Sequence, residues 1–314
     1  MEIAKILTLT LNPSLDITMW VDGLDDEDVN NVKRERVDAG GKGINVSRAL
    51  RASGAPTRAF ILAGRANVPV LKKFLEQEKV DSFIAETAGA IRENYTMVKP
   101  QGICKLNKPG QAVDLADYDR LVRELLKETD DKTFVVISGS LPKNITCEHL
   151  RLLTGELSAR KIPFALDTKS LSASELISLK PYLIKPNAEE FLKLTRRTAG
   201  EDIAVMVNSA RELIEQGIPH ILLSLGARGL IYISRDGYIC ADVPDVPVRS
   251  AVGAGDTCLA GYLYARTKNL PLEECVRYAA AFGTASVMKD GTAPPDMAVV
   301  NGLLRKVTIS ATGF

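Results

Sequence analysis

Phe134-Val135-Val136-Ile137-Ser138, then a segment over 146–160 with apolar residues three and four apart, then Phe164-Ala165-Leu166-Asp167: this stretch decides the fold. Strands covered on both faces read as unbroken apolar runs, because neither face meets water. The segment between them has the 3.6-residue period of a helix laid on such a sheet. The unit predicts strand, crossover helix and parallel strand, the building block of an α/β fold.

The alternation recurs outward from there. Apolar runs at 6–11, 57–62, 183–185 and 220–224 read as further strands, and helical periods occupy 44–53, 68–78, 115–127, 189–194 and 205–216. Together they predict a doubly wound parallel sheet flanked by helices. Two segments, at about 15–37 and 93–107, mix polar and apolar positions with turn residues and leave no room for a crossover helix. They predict antiparallel strands of a small sheet that projects from the main one as a lid. No linker or repeat divides the chain, so 1–314 is read as one α/β domain with these strands inserted. The small, polar residues at 309–314 predict a frayed end.

Composition narrows the class. Forty basic and thirty-nine acidic residues leave a formal charge of +1, so no global field draws the chain to nucleic acid or an anionic membrane, and neither is expected as a partner. Five cysteines (Cys104, Cys147, Cys240, Cys258 and Cys275) form no C-x-x-C pair, and only His149 and His220 are available beside them. That pattern predicts free thiols in a reducing compartment, without zinc or a disulfide framework. No stretch approaches the ~18 apolar residues of a membrane span. The opening run ending at Asn12-Pro13 is too short for a signal-peptide core. A cytoplasmic location is the expectation.

The chemistry concentrates at Ser250-Ala251-Val252-Gly253-Ala254-Gly255-Asp256-Thr257. Small residues at Gly253, Ala254 and Gly255 let backbone N–H groups crowd together, and a helix starting there aims its positive end at the same point. Such a turn suits transferring phosphate oxygens, and Asp256 on the first helical turn suits a base that accepts a hydroxyl proton. The alternative is an aspartate that caps a helix after a glycine turn. A second glycine cluster, Asp38-Ala39-Gly40-Gly41-Lys42-Gly43-Ile44-Asn45, leads into the first long helix. It is not a P-loop, because Arg36 stands where the first glycine belongs and Gly43 replaces the hydroxyl residue. No G-x-G-x-x-G follows a strand, which removes the main support for a nicotinamide cofactor.

These two clusters, about two hundred residues apart, resemble the paired motifs of the ribokinase-like, or PfkB, carbohydrate kinase family. Lys185-Pro186-Asn187-Ala188-Glu189-Glu190 is similar to its K-P-N-x-x-E element. Ser224-Leu225-Gly226-Ala227-Arg228-Gly229 is similar to its nucleotide-side turn. Thr10-Leu11-Asn12-Pro13-Ser14-Leu15-Asp16, Ile91-Arg92-Glu93-Asn94 and Ile137-Ser138-Gly139-Ser140-Leu141-Pro142 resemble the branch that holds 1-phosphofructokinases and tagatose-6-phosphate kinases.

The resemblance implies a kinase that uses ATP and Mg²⁺ on a sugar phosphate, with 1-phosphofructokinase activity leading and tagatose-6-phosphate or fructose-6-phosphate phosphorylation as alternatives. It implies Asp256 as catalytic base with Gly253, Ala254 and Gly255 around the phosphoryl group. Asp16, Gly40, Gly41, Lys42, Asn45, Arg92, Lys105 and Ser140 fall on the substrate side. Lys185, Asn187, Ser224, Gly226 and Gly229 fall on the nucleotide side, with Asn187 and Glu190 meeting Mg²⁺ through water. Relatives pair lids between subunits, which implies a homodimer. Ordinary structure accounts for some of these residues equally well: Asn187 and Glu190 as a helix cap and first-turn acid, Lys185 as a solvated strand end, and Asp16 and the Ser224 segment as turns. Ala251 departs from the pattern by lacking a hydroxyl, which puts any potassium dependence in doubt. A sugar-phosphate sensor on the same fold is the competing class.

Overall fold

The computed structural model describes residues 2–25, 27–197 and 202–313. In chain order the elements are β1 (Lys5–Thr10), β2 (Ser14–Trp20), β3 (Arg34–Gly40), α1 (Lys42–Ala52), β4 (Thr57–Gly64), α2 (Val68–Gln77), β5 (Ser82–Thr87), β6 (Arg92–Lys99) and β7 (Gly102–Asn107). Next come α3 (Leu115–Lys127), β8 (Thr133–Ser138), α4 (Cys147–Ala159), β9 (Phe164–Asp167), α5 (Ala173–Leu179), β10 (Leu183–Ile184), α6 (Ala188–Thr195) and α7 (Ile203–Glu215). The chain ends with β11 (His220–Ser224), β12 (Leu230–Ser234), β13 (Gly237–Asp242), α8 (Ala254–Thr267), α9 (Leu272–Val287), α10 (Met297–Leu304) and β14 (Thr308–Gly313).

Ten strands form the main sheet in the order β14-β13-β12-β11-β10-β9-β8-β1-β4-β5. The seven from β11 to β5 run parallel, as the apolar runs require. Strand β8 shows why both faces must be dry. Val135 and Ile137 pack with Leu121 and Leu125 of α3 and Leu150 and Leu153 of α4. Phe134 and Val136 pack on the other face with Val46 and Leu50 of α1, Leu259 and Leu263 of α8 and Phe282 of α9. From β1 the chain winds outward through β4 and β5, then returns to β8 on the other side of β1. That reversal opens a crevice at the carboxyl ends of β1 and β8, where doubly wound sheets bind ligands.

A separate four-stranded sheet has the order β3-β2-β6-β7. Its two hairpins are antiparallel internally, as expected, but β2 and β6 pair in parallel, which the reading as antiparallel strands did not include. The hairpins come from distant segments and join edge to edge, so no turn dictates their relative direction. A second correction concerns the end of the chain. The segment expected to fray forms β14, paired antiparallel to β13. Its alternate residues are half-buried, a one-sided edge strand in place of a loose tail.

Candidate active site

Several chain segments converge at the crevice. Gly41, the single residue between β3 and α1, has φ 126 and launches α1 so that Lys42 and Asn45 enter the crevice from its first turn. Gly253 precedes α8 with φ 77, a left-handed conformation open to glycine. No side chain caps α8, and while the Ala254 N–H donates to Ala251 O at 3.4 Å, those of Gly253 and Gly255 keep their capacity to meet an anion. Asp256 stands in that turn at 5 % exposure. Asn45 Nδ2 donates to Asp256 Oδ2 at 2.8 Å, joining the two glycine clusters across 211 residues.

The charges beside Asp256 form a compact group. Lys42 Nζ donates to Asp167 Oδ1 at 2.7 Å and lies 3.7 Å from Glu190 Oε1. Lys185, 4 % exposed, lies 3.3 Å from Asp167 Oδ2. Its Nζ is 2.9 Å from where a Cβ on Gly255 would stand, so the ammonium sits against the glycine turn. Burial pushes the Asp256 carboxyl up to about 7 and the like charge of Asp167 adds to that, against the pull of Lys42, Lys185 and the Asn45 amide. Asp167 moves the other way: burial opposes its charge, but Lys185 and Lys42 hold it below the usual carboxylate range. Burial opposes the Lys42 charge too, yet Asp167, Asp256 and Glu190 keep its ammonium above the ordinary value. Two carboxylates with opposed shifts in one site separate a proton acceptor from a fixed counter-charge.

The small sheet supplies the other wall. Its parallel pairing sets Ser14 opposite Arg92 and Asp16 opposite Asn94. Asp16 Oδ1 accepts from Ser14 Oγ and Asn94 Nδ2, both at 2.8 Å. Asn94 Oδ1 and Arg92 Nε are buried without partners among the described residues, hydrogen-bonding capacity open to a ligand. Burial lowers the Arg92 pKa from its ordinary value. Gly40 lies under this group. A Cβ there would come within 2.4 Å of Asp16 Oδ2 and Ser14 Oγ, so only glycine lets β3 pass.

Asp16, Lys42, Asn45, Arg92, Lys185 and Asp256 line one cavity of about 720 Å³. Its far end has apolar walls from Val243, Val246, Ala279 and Val287, flanked by Asn187, Ser224, Gly226 and Gly229. The turn between β11 and β12 holds those glycines and is closed by the Leu225 N–H donating to Gly229 O at 2.8 Å. Asn187 caps α6 and forms a reciprocal capping box with Glu190. Gly40 supports the site from beneath, while Lys105 lies exposed on β7 and outside the cavity lining. Ser140 is half-buried after β8, accepts a hydrogen bond from Asn12 Nδ2 at 2.9 Å, and also lies outside the lining.

Sequence reasoning missed Asp167, Ser14 and Asn94. Asp167 had a signal: it is the charged residue closing an otherwise apolar buried strand, at the end that opens on the crevice. Ser14 and Asn94 become partners only through the unforeseen β2–β6 pairing. Among the described residues no group of three or more His, Cys, Asp or Glu side chains is placed to hold a metal ion. The donor set fits Mg²⁺ only as an ion carried largely by phosphate oxygens and water, with Glu190 beside it.

Comparison with known proteins gives the family and the fold. The 1-phosphofructokinase of Vibrio cholerae is 31% identical over 313 residues, 98% of this chain and 97% of that protein. Phosphofructokinase-2 from Escherichia coli, solved with substrates and products, is 28% identical with a TM-score of 0.88, covering 96% of this chain and 99% of that one. The same enzyme in complex with fructose-6-phosphate is 26% identical with a TM-score of 0.88 over 97% and 99%. Arabidopsis thaliana ribokinase, at 20% identity and TM-score 0.74 over 96% and 99%, shares the fold. The profile described as pfkB family carbohydrate kinase matches residues 9–298, and the chain belongs to that family.

Proposed function

We propose that this kinase transfers the γ-phosphoryl group of ATP to fructose 1-phosphate, giving fructose 1,6-bisphosphate and ADP. The observation that carries the reading is that Asp256 and Asp16 line the same cavity, although one stands on helix α8, packed on the main sheet, and the other on β2 of the small sheet. The Vibrio cholerae relative, similar along nearly its whole length, points to the 1-phosphate as acceptor substrate.

In the proposed reaction Asp16 and Asn94 hold sugar hydroxyls, and Arg92 meets the phosphate already on the sugar, helped by Lys42. One hydroxyl faces Asp256. Its oxygen bonds to the γ-phosphorus as the bond to the bridging oxygen of ADP breaks, and its proton passes to Asp256. The first-turn N–H groups of α8 and the Lys185 ammonium stabilise charge on the phosphoryl oxygens. Asn187 and Glu190 would order water around a Mg²⁺ ion carried by the nucleotide, and such an ion would supply neutralisation of phosphate charge. The apolar end of the cavity takes the nucleotide base, flanked by Ser224, Gly226, Gly229 and Asn187. The small sheet acts as a lid of a single kinase domain, excluding water that would hydrolyse ATP. Its uncovered face pairs with a second copy as a homodimer. Free cysteines and a polar exterior fit a cytoplasmic enzyme.

A second reading, fructose 6-phosphate as acceptor, is favoured by the high structural similarity to phosphofructokinase-2. A coupled ADP-release assay over fructose 1-phosphate, fructose 6-phosphate, tagatose 6-phosphate and unphosphorylated sugars decides between them. The highest kcat/KM is expected with fructose 1-phosphate. Binding of a sugar phosphate without turnover of any substrate would establish a sensor instead.

A further inference from the structure

Asn45 is the only side chain that hydrogen-bonds Asp256 among the described residues, and its orientation is set by a residue that does not reach the cavity. Arg48, one turn further along α1 and 3 % exposed, makes five hydrogen bonds. Its Nε and Nη2 fork onto Glu78 at 2.5 and 2.6 Å. Its Nη1 is aimed at Thr292 Oγ1 (2.8 Å), Ala39 O (3.1 Å) and Asn45 Oδ1 (3.4 Å). The guanidinium thus ties α1 to the residue after α2, to β3 and to the turn at 290–292, where Thr292 also packs beside Gly253. Nothing else hydrogen-bonds Asn45 Oδ1 among the described residues.

A guanidinium carries donors only, and a carboxylate acceptors only. While Asp256 is ionised, an amide held between them has one satisfied orientation: its oxygen toward Arg48, its NH₂ toward Asp256. Turned over, it would set donor against donor and oxygen against oxygen. We propose that Arg48 is a positioning residue for phosphoryl transfer, fixing through Asn45 the hydrogen bond that holds Asp256 in place to receive the substrate proton. This inference rests on the reading of Asp256 as the base. Arg48 itself touches neither Asp256 nor the cavity.

The groups facing Asp256 are Lys42 and Asn45 from α1, Asp167 at the end of β9 and Lys185 after β10, with Glu190 of α6 beside Lys42. Of these groups, Asn45 is the one that Arg48 hydrogen-bonds directly. An amide N–H donated to a carboxylate favours its charged form. Loosening Asn45 therefore moves the acid limb of the activity profile to higher pH and lowers kcat, while KM for the sugar phosphate stays near its original value.

The test measures kcat/KM against pH for wild type, Arg48→Met, Asn45→Ala and the double variant, with folding checked by circular dichroism. Arg48→Met is expected to raise the acid limb and lower kcat roughly ten- to a hundredfold. Arg48→Lys, which keeps a donor there, recovers part of that loss. In the Asn45→Ala background the Arg48 change is expected to move the limb no further, because its route is gone. An acid limb left at its wild-type position by Arg48→Met, or a shift of full size in the absence of Asn45, overturns the inference alone. A wild type that transfers no phosphate from ATP removes the kinase reading as well. If Arg48→Met fails to fold, Glu78→Gln, which keeps the guanidinium but loosens its anchor, is read in the same two ways.

Discussion

Asp256 is a carboxylate asked to work buried, and its environment sets both its chemistry and a cost in stability. With its pKa pushed up to about 7, it suits the proposed role of proton acceptor, since a general base is most effective near the working pH. Activity is expected to fall below that pH as the base protonates. Asp256→Asn keeps the size and the contact region but cannot accept the proton. Turnover is expected to drop roughly 10²–10⁴-fold with sugar-phosphate binding retained, measured by ADP release and by calorimetry. Stability carries the opposite sign. The native state holds this proton up to about 7 whereas the unfolded chain releases it near the ordinary value of 3.8, so wild type loses stability as pH rises through that window. Melting curves should show Asp256→Asn more stable than wild type at pH 8, with the difference closing as pH falls toward 4. No gap at pH 8 would mean that the carboxylate is not held at a raised pKa.

Strands β2 and β3 give a prediction at the scale of elements. Gly40→Ala drives a methyl into Asp16 and Ser14, and overpacking of this kind costs about 1–3 kcal/mol. The expected result is a raised KM for the sugar phosphate, an unchanged KM for ATP and a lower melting temperature. Truncation after Val307 removes β14 and bares the β13 edge. The melting temperature should fall and aggregation by light scattering rise, while both KM values hold, since β14 contributes nothing to the cavity lining. The elements legible in the sequence were those whose environment is uniform. Val135 to Ile137 are dry on both sides, and the period of α4 is plain. Helices α8 and α9 were harder because they are buried nearly all round, with Gly261 against Tyr278 and Phe282, so no polar stripe marks a period. The β12–β13 hairpin had a readable cue, an apolar run followed by Arg235-Asp236-Gly237, that was passed over. The site was half legible. Its glycine turns and Asp256 stand out in the chain, but Asp167 and Asn94 acquire meaning only from neighbours far away in sequence.

At the scale of the whole molecule, the small sheet leaves hydrophobic side chains exposed, Ile103 and Leu106 of β7 among them. A homodimer is expected by light scattering at working concentration, and Leu106→Lys, on the face of β7 turned away from the one that Ile103 shares with Asn94, should shift it toward monomer. A wild type that already scatters as one chain would remove the dimer proposal. Four short passages of chain tie the small sheet to the main domain, at 11–13 and 88–91 to strands β1 and β5 and at 41 and 108–114 to helices α1 and α3. Four straps restrain a panel far more than one hinge does, leaving it little freedom beyond a single swing. One strap is Gly41 alone, directly followed by the helix that carries Asn45, so tilting the sheet proposed to grip the sugar would tug on the helix whose Asn45 holds Asp256. Occupancy of the acceptor pocket would thereby be felt at the reacting atoms before any nucleotide is cleaved, and hydrogen exchange in 42–48 should slow when sugar phosphate alone is added.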